Sequence, residues 1–163
     1  MSRSLYSSSF LTGVIQDIDT SRIRPPEKLL RSTHGLEELT GSIKQKGLLQ
    51  PILVRTKETY FEIVAGNRRY QSCKALGWKK VACHVVELDD REAFEISLVE
   101  NVQRKTLSPL EEARAFKLYV SDYGWGGVSS LAEKIGKSAS YVTKRIKLLD
   151  LPSDMLESIR NLQ

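Results

Sequence analysis

The sequence has few of the residues that metal centres and disulfides require. Its 163 residues include two cysteines, Cys73 and Cys83, and two histidines, His34 and His84. The cysteines form no CxxC pair and neither histidine follows them at ligand spacing, so a four-ligand zinc site cannot be assembled. We therefore expect two buried or idle thiols in a reducing compartment, rather than a disulfide or a nucleophile.

Long apolar runs are also missing. No stretch approaches the length of about 20 residues that a membrane-spanning helix needs. The first residues, MSRSLYSSSFLTG, lack the apolar centre of a secretory signal. Hydrophobic residues make up 40% of the chain and charged residues 28%, as in ordinary globular domains. These absences predict a cytoplasmic protein with no membrane partner.

The positive charge of the chain is unevenly distributed. The net charge is +5, and residues 128–149 alone contain five basic side chains against one acidic side chain. Because a local excess of positive charge attracts phosphate-rich partners, this segment is the first candidate for contact with nucleic acid.

The order of predicted elements divides the chain into two parts. Strand-like runs at 14–18, 51–55, 60–65 and 81–88 alternate with helical patterns at 36–46 and 68–76, while the two prolines within 22–28 predict a loop. After residue 89 the patterns are helical only, at 89–102, 110–123, 128–135, 138–149 and 154–162. We therefore expect a flexible tail over residues 1–13, an α/β domain over 14–103 and a helical domain over 104–163.

The best-defined motif is a helix-turn-helix at 128–149. Ala132 lets two helices meet closely, Gly136 accepts a left-handed turn, and Val142 packs the second helix against the first. The second helix then exposes a polar and basic face suited to the DNA major groove. The residues expected to contact DNA are Lys137, Ser138, Ser140, Tyr141, Lys144, Arg145 and Lys147. An ordinary helical hairpin with a solvated basic face is the alternative.

Two further segments carry candidate chemistry for a polyphosphate. AGNRRY at 65–70 places Arg68 and Arg69 at a helix start, where free N–H groups favour anions, although the GxxxxGK[ST] pattern is absent. A surface basic cluster is the alternative. LVENVQR at 98–104 sets Glu100 beside Asn101, where a carboxylate could hold Mg²⁺ next to phosphates or simply belong to a helix end.

Four segments in order resemble the ParB family of chromosome and plasmid partition proteins. They are IKQKGLLQPILVR (43–55), GNRRYQSCKALGW (66–78), LVENVQRKTLSPLEEA (98–113) and LAEKIGKSASYVTKRIKLLDLP (131–152). The resemblance implies an α+β N-terminal domain, with a small mixed sheet and helices of the ParB/sulfiredoxin-like kind, followed by an all-α helix-turn-helix domain. It also implies CTP and Mg²⁺ as cofactors. The implied partners are double-stranded DNA, a second copy of the chain through self-association, and a ParA-type ATPase. The implied location is the nucleoid or a plasmid.

The resemblance also implies roles for individual residues. The nucleotide-binding set is Gln50, Gly66, Arg68, Arg69 and Asn101, with Glu100 at the metal and Gln50 as the candidate catalytic residue. The family usually has GERRxRA where this chain has GNRRYQS, so Asn67 replaces an acidic residue and Gln71 a basic one. Losing a carboxylate beside the phosphates argues for weak CTPase activity at most. In the recognition helix, Ala139 and Lys144 replace the family's Arg and Asn, so the usual partition site is not assumed.

Two other functions stay open at this point. One is a DNA-binding transcriptional regulator or adaptor with a vestigial nucleotide pocket, which DNA binding without any nucleotide effect would favour. The other is a nucleotide-dependent enzyme on the same fold. Sulfiredoxin-like chemistry is disfavoured, because GNRR contains no cysteine and Cys73 lies farther along the helix.

Overall fold

A computed structural model of the chain describes residues 12–26, 36–105 and 107–161. The chain divides into two compact units, of which the first extends to Ser97 and the second starts at Leu98. The tail predicted over residues 1–13 lies almost wholly outside the described residues, and Gly13 already belongs to the first strand. Within the described ranges, no helix has both the length and the apolar character needed to cross a membrane.

The first unit is built on a five-stranded mixed sheet. Its strands are β1 (Gly13–Asp19), β2 (Ile23–Arg24), β3 (Ile52–Thr56), β4 (Phe61–Ala65) and β5 (Lys80–Val86). They lie in the order β1-β5-β3-β4-β2. β1 is antiparallel to β5, β5 is parallel to β3, β3 is antiparallel to β4, and β4 is parallel to β2. The predicted mixed sheet and its β3–β4 hairpin are therefore confirmed.

Strand β2 falls in the segment that the sequence predicts as a loop, so that prediction is wrong for two residues. Ile23 and Arg24 pair in parallel with Phe61 and Glu62 of β4. A residue that precedes a proline favours extended backbone, which suits Arg24. The pairing partner, however, lies far along the chain and leaves no local signal in the sequence.

Two helices of the first unit pack against each other. They are α1 (Leu36–Lys46) and α2 (Asn67–Ala75), and the Thr40 hydroxyl donates a hydrogen bond to the Ser72 hydroxyl at 3.0 Å. Gly47, with a φ of 75°, follows α1 in the left-handed conformation, as its position after the helical pattern predicts.

Both cysteines lie in the core of the first unit. Cys73 on α2 and Cys83 on β5 are fully buried among Ile52, Val54 and other apolar side chains. Both thiols are free, and burial raises the pKa of Cys73 and raises that of Cys83 to about 12. The prediction that both thiols are buried is confirmed, and a thiol that stays protonated is a poor nucleophile.

A buried arginine joins the sheet to the start of α3 (Asp90–Gln103). Arg55 is 5% exposed and its Nη2 lies 2.6 Å from both Glu62 Oε1 and Asp90 Oδ1. Lys57 also donates to Asp90, at 2.8 Å, and the hydrogen bonds from Lys57 and Arg55 lower the pKa of Asp90. The pairing satisfies a guanidinium that would otherwise be costly to bury, and it connects the first residue of α3 to the sheet.

The second unit consists of helices, as predicted. After the end of α3 come α4 (Pro109–Lys117), α5 (Val128–Ile135), α6 (Ala139–Lys147) and α7 (Ser153–Asn161). Ser108 caps α4 in a capping box with Glu111, and Pro109 occupies the first turn. The helix continues as a π-helical turn over Leu118–Asp122.

Helices α5 and α6 form the helix-turn-helix that the spacing predicts. Gly136 has a φ of 67° and ends α5 in the left-handed conformation. The N–H of Lys137 then donates to the Ala132 carbonyl at 2.9 Å. Ala132 is 3% exposed and Val142 is fully buried, so both serve the helix contact.

Candidate nucleotide site and DNA-binding surface

The GNRR segment forms a tight turn from strand β4 into helix α2. Gly66 connects the two elements with a φ of 94°, in the left-handed region that glycine adopts most easily. The N–H of Tyr70 donates to the Gly66 carbonyl at 3.0 Å, which closes the first helical turn. Arg68 and Arg69 therefore lie in the first turn of α2, next to backbone N–H groups that favour an anion.

Arg69 links this turn to the loop that precedes β3. Its Nη1 donates to the carbonyl oxygen of Gln50 at 2.9 Å and to that of Pro51 at 2.8 Å. The guanidinium also lies over Gly66, since a Cβ added there would be 3.1 Å from Nη2. Gln50 and Leu49 are exposed in the same loop. The structure thus brings Arg69 against Gly66 and the backbone of Gln50, which are three of the residues predicted to bind nucleotide.

Asn67 is the most unusual residue of the turn. It is the first residue of α2 and is 6% exposed. Its Oδ1 accepts no hydrogen bond within the part of the chain that the structure describes. An unsatisfied buried oxygen costs about 1–3 kcal/mol. A ligand donor group or a metal-bound water at this position would remove that cost.

Replacing Gly66 with alanine tests how much the turn depends on glycine. We expect the free energy of unfolding to fall by about 1–2 kcal/mol, because a Cβ is strained at this φ. We also expect weaker nucleotide binding, because the new Cβ displaces Arg69. Gly77→Ala is the matched control: Gly77 has a φ of 74° but no atom within 4 Å of an added Cβ. Urea denaturation and calorimetry measure the two effects, and equal losses of nucleotide affinity in both variants would contradict the role of Arg69.

Glu100 and Asn101 lie side by side near the end of α3, in the second unit. Glu100 Oε1 pairs with Arg104 Nε at 3.2 Å, and Asn101 is 8% exposed. Among the described residues, no group of three acidic, histidine or cysteine side chains could hold a metal ion. Glu100 therefore fits Mg²⁺ only if phosphate and water oxygens complete the coordination, which is the usual arrangement for this ion.

The predicted DNA-binding residues divide into two groups. Ser138 caps α6 by accepting from the Tyr141 N–H at 3.1 Å, so its hydroxyl has a structural role. Five of the seven residues are exposed, and these are Lys137, Ser138, Ser140, Lys144 and Lys147. The other two, Tyr141 and Arg145, are partly buried and have partners within the second unit.

The predicted set of DNA-binding residues leaves out two exposed residues on the same helix. Thr143 and Ala139 are exposed, and Thr143 follows Ser140 by three residues and precedes Lys147 by four. Residues at this spacing share one helical face. The same spacing was visible in the sequence, so counting along the face of Ser140, Lys144 and Lys147 would have identified Thr143.

The acidic partner of Tyr141 and Arg145 was also missed. Glu112 on α4 accepts from the Tyr141 hydroxyl at 2.6 Å and from Arg145 Nε at 2.8 Å. Burial, followed by the hydrogen bond to Glu112, raises the pKa of Tyr141. No sequence signal identifies Glu112, because its contacts join helices that are distant in the chain.

Lys144→Ala tests the exposed basic face. Removing one phosphate contact should make the negative slope of log affinity against log salt concentration shallower by about one unit. The measurement is fluorescence anisotropy with duplex DNA over a salt series. Lys117→Ala removes an equal charge from an exposed position on α4 and should leave the slope unchanged. A Lys144→Ala slope equal to that of the parent chain would exclude Lys144 from the phosphate contacts.

A mixed α/β unit followed by a helix-turn-helix defines a class of helix-turn-helix proteins that carry a separate N-terminal domain. Comparison with known families identifies the class more closely. The ParB N-terminal domain model matches residues 7–102, and the ParB HTH domain model matches residues 105–163. The chain therefore belongs to the ParB family, and the resemblance seen in the four sequence segments is confirmed.

Curated relatives support the same assignment. The chain is similar to the chromosome-partitioning protein Spo0J of Thermus thermophilus, with 40% identity over 152 residues that cover 90% of this chain and 55% of the relative. It is 44% identical over 124 residues to the probable chromosome 1-partitioning protein ParB of Deinococcus radiodurans, covering 76% and 42% respectively. The chain spans about half the length of the curated relatives it matches.

Solved structures confirm the fold. C-terminally truncated ParB of Caulobacter crescentus, complexed to the centromeric parS site, matches with a TM-score of 0.66 and 34% identity over 87% of this chain and 75% of that one. The same truncated protein complexed with CTP-gamma-S matches with a TM-score of 0.52 and 35% identity, covering 91% and 86%.

Proposed function

We propose that this chain is the nucleotide-binding and DNA-binding part of a ParB-type partition protein, in which CTP and Mg²⁺ control the engagement of DNA. The observation that carries the proposal is the glycine turn at Gly66, which places two arginines at the start of α2 in a chain that also contains a helix-turn-helix. We assign the nucleotide to residues 14–103 and DNA to residues 104–163.

The nucleotide site follows from the chemistry of the turn. Arg68, Arg69 and the N–H groups of α2 supply positive charge and donors for phosphates. Gln50 is a further proposed nucleotide contact within the first unit. For the second unit, we propose separately that Asn101 contacts nucleotide and that Glu100 binds the metal. The relative from Caulobacter crescentus, solved with CTP-gamma-S, supports CTP as the nucleotide.

The DNA site follows from the exposed face of α6. The relative complexed with its parS site supports a duplex partner. Lys137, Lys144 and Lys147 supply phosphate contacts, and Ser140 lies near the N-terminal end of the helix, where base edges are read. Because Ala139 and Lys144 differ from the family pattern, we propose that this chain reads its own sequence.

The remaining properties follow from the family. We propose that the chain self-associates on DNA, meets a ParA-type ATPase, and is found on the nucleoid or on a plasmid in the cytoplasm. We propose weak CTP hydrolysis at most, because Asn67 lacks the negative charge that an acidic residue would place beside the phosphates. Gln50 stays the candidate for orienting the attacking water.

Calorimetric titration tests the proposal directly. CTP, ATP and GTP are each titrated with Mg²⁺, with and without a pool of duplex DNA. Selective binding of CTP that changes in the presence of DNA is the expected result. Absence of binding by all three nucleotides, in a chain that still binds DNA, would contradict nucleotide control.

A DNA-binding regulator with a vestigial pocket is the second candidate. One observation favours it: the Arg69 guanidinium already donates to the carbonyls of Gln50 and Pro51. An arginine held in this way has fewer donors for phosphate. The same titration distinguishes the two functions, because only the partition-type function requires nucleotide affinity.

A further inference from the structure

A buried carboxylate outside the helix-turn-helix holds the recognition helix α6. Glu112 lies in the first turns of α4 and is 6% exposed. Its Oε2 accepts two hydrogen bonds, from the Tyr141 hydroxyl at 2.6 Å and from Arg145 Nε at 2.8 Å. Both donors belong to α6, so this single acidic group contacts the helix at two positions one turn apart.

The side chains around Tyr141 form a compact network. The Tyr141 hydroxyl lies 3.2 Å from Arg145 Nη2 and 3.3 Å from Arg145 Nε. The Arg145 guanidinium carbon is 5.0 Å from the centre of the Tyr141 ring, and Lys137 Nζ is 5.5 Å from it. The Phe116 ring of α4 lies 6.3 Å from the Tyr141 ring. Two of the predicted DNA-binding residues are therefore held in place by α4.

Burying the Glu112 carboxylate costs desolvation free energy, and this indicates that the residue has a function beyond stability. Glu112 is buried whereas Arg145 is partly exposed. An ion pair that buries a charge often contributes little net stability, and an apolar side chain of similar size would serve packing as well. What the carboxylate adds is orientation, because its two hydrogen bonds fix Tyr141 and the guanidinium of Arg145. Side chains that are ordered in advance lose less entropy when they meet a ligand.

We propose that Glu112 is a positioning residue for DNA recognition. It holds Tyr141 and Arg145 so that α6 presents one fixed surface to the major groove, with Ser140, Thr143 and Lys144 exposed on it. The proposal rests on the DNA-binding function proposed above. It adds that the contacts of Glu112 give that binding its sequence discrimination.

Simple electrostatics predicts the opposite effect of removing this charge. An acidic side chain in a DNA-binding unit repels phosphates, so its loss should strengthen binding to every duplex. Positioning predicts weaker binding to the preferred sequence and little change elsewhere. The two explanations therefore predict opposite changes in affinity for the preferred duplex, so the substitution distinguishes them.

The test compares Glu112→Gln with Glu133→Gln. Glu133 is an exposed acidic residue on α5, so its loss changes the charge equally without touching the network. The probes are a duplex enriched from a randomised library by the parent chain, and a scrambled duplex of equal length. For Glu112→Gln we expect a loss on the order of tenfold on the enriched duplex and no loss on the scrambled one. Glu133→Gln should bind both slightly more tightly.

Tyr141→Phe provides a second variant with a smaller structural change, because it keeps the ring and removes only the hydroxyl. It should lose part of the sequence discrimination that Glu112→Gln loses. The double variant should lose less affinity for the enriched duplex than the sum of the losses in the two single variants. Parallel gains on both duplexes in Glu112→Gln, or unchanged discrimination in Tyr141→Phe, would overturn the proposal. Failure of the parent chain to enrich any sequence would instead overturn the proposed DNA-binding function, and this inference with it.

Discussion

Replacing Arg69 with alanine is expected to lower the affinity for CTP by at least about 100-fold, as the loss of charge-assisted hydrogen bonds predicts. The substitution removes a guanidinium at the start of α2. It also removes the two hydrogen bonds from Nη1 to the carbonyls of Gln50 and Pro51, which hold the loop before β3 against the start of α2. Calorimetric titration with CTP and Mg²⁺ measures the loss, and anisotropy with a short linear duplex should show DNA binding retained.

Lys74→Ala is the matched control for this prediction, because Lys74 is exposed in the last turn of the same helix. It should bind CTP as the parent chain does. Arg69→Lys keeps the charge but not the planar donor geometry, so intermediate affinity is expected. If a folded Arg69→Ala protein loses CTP and short-duplex binding together, the two sites are not separate.

Local signals in the sequence predict most helix boundaries of this chain. The Ser108-Pro109 pair starts α4, Ser138 caps α6, and Gly136 ends α5 with a positive φ. Each signal acts over three or four residues, through a capping hydrogen bond or a backbone conformation that few residues adopt. A single sequence is therefore enough to locate these elements and the helix-turn-helix they form.

Contacts between distant segments could not be predicted in this way. The pairing of β2 with β4 depends on strands that lie far apart in the chain. The positions of Tyr141 and Arg145 depend on Glu112, which belongs to another helix. From the helical pattern alone both residues lie on a polar face, so only tertiary structure shows that they turn toward α4.

The second prediction with a large expected effect concerns position 67, where this chain has no carboxylate. Asn67→Glu is expected to raise the rate of CTP hydrolysis on the order of 100-fold. The side chain lies at the first position of α2, buried beside the arginines, where the helix N-terminus stabilises a negative charge. A carboxylate there can orient water beside the phosphates, whereas the neutral amide of Asn67 cannot accept a proton. Release of inorganic phosphate from CTP in the presence of Mg²⁺ and DNA measures the rate.

Asn67→Gln separates the effect of charge from that of size, because glutamine has the length of glutamate without its charge. Its hydrolysis rate should stay at the level of the parent chain, while CTP binding by both variants is checked by calorimetry. A charged variant that binds CTP but hydrolyses it no faster than Asn67→Gln would show that the missing carboxylate does not limit turnover. Hydrolysis would then be limited by other side chains, and Gln50 and Glu100 would be the next to replace, one at a time.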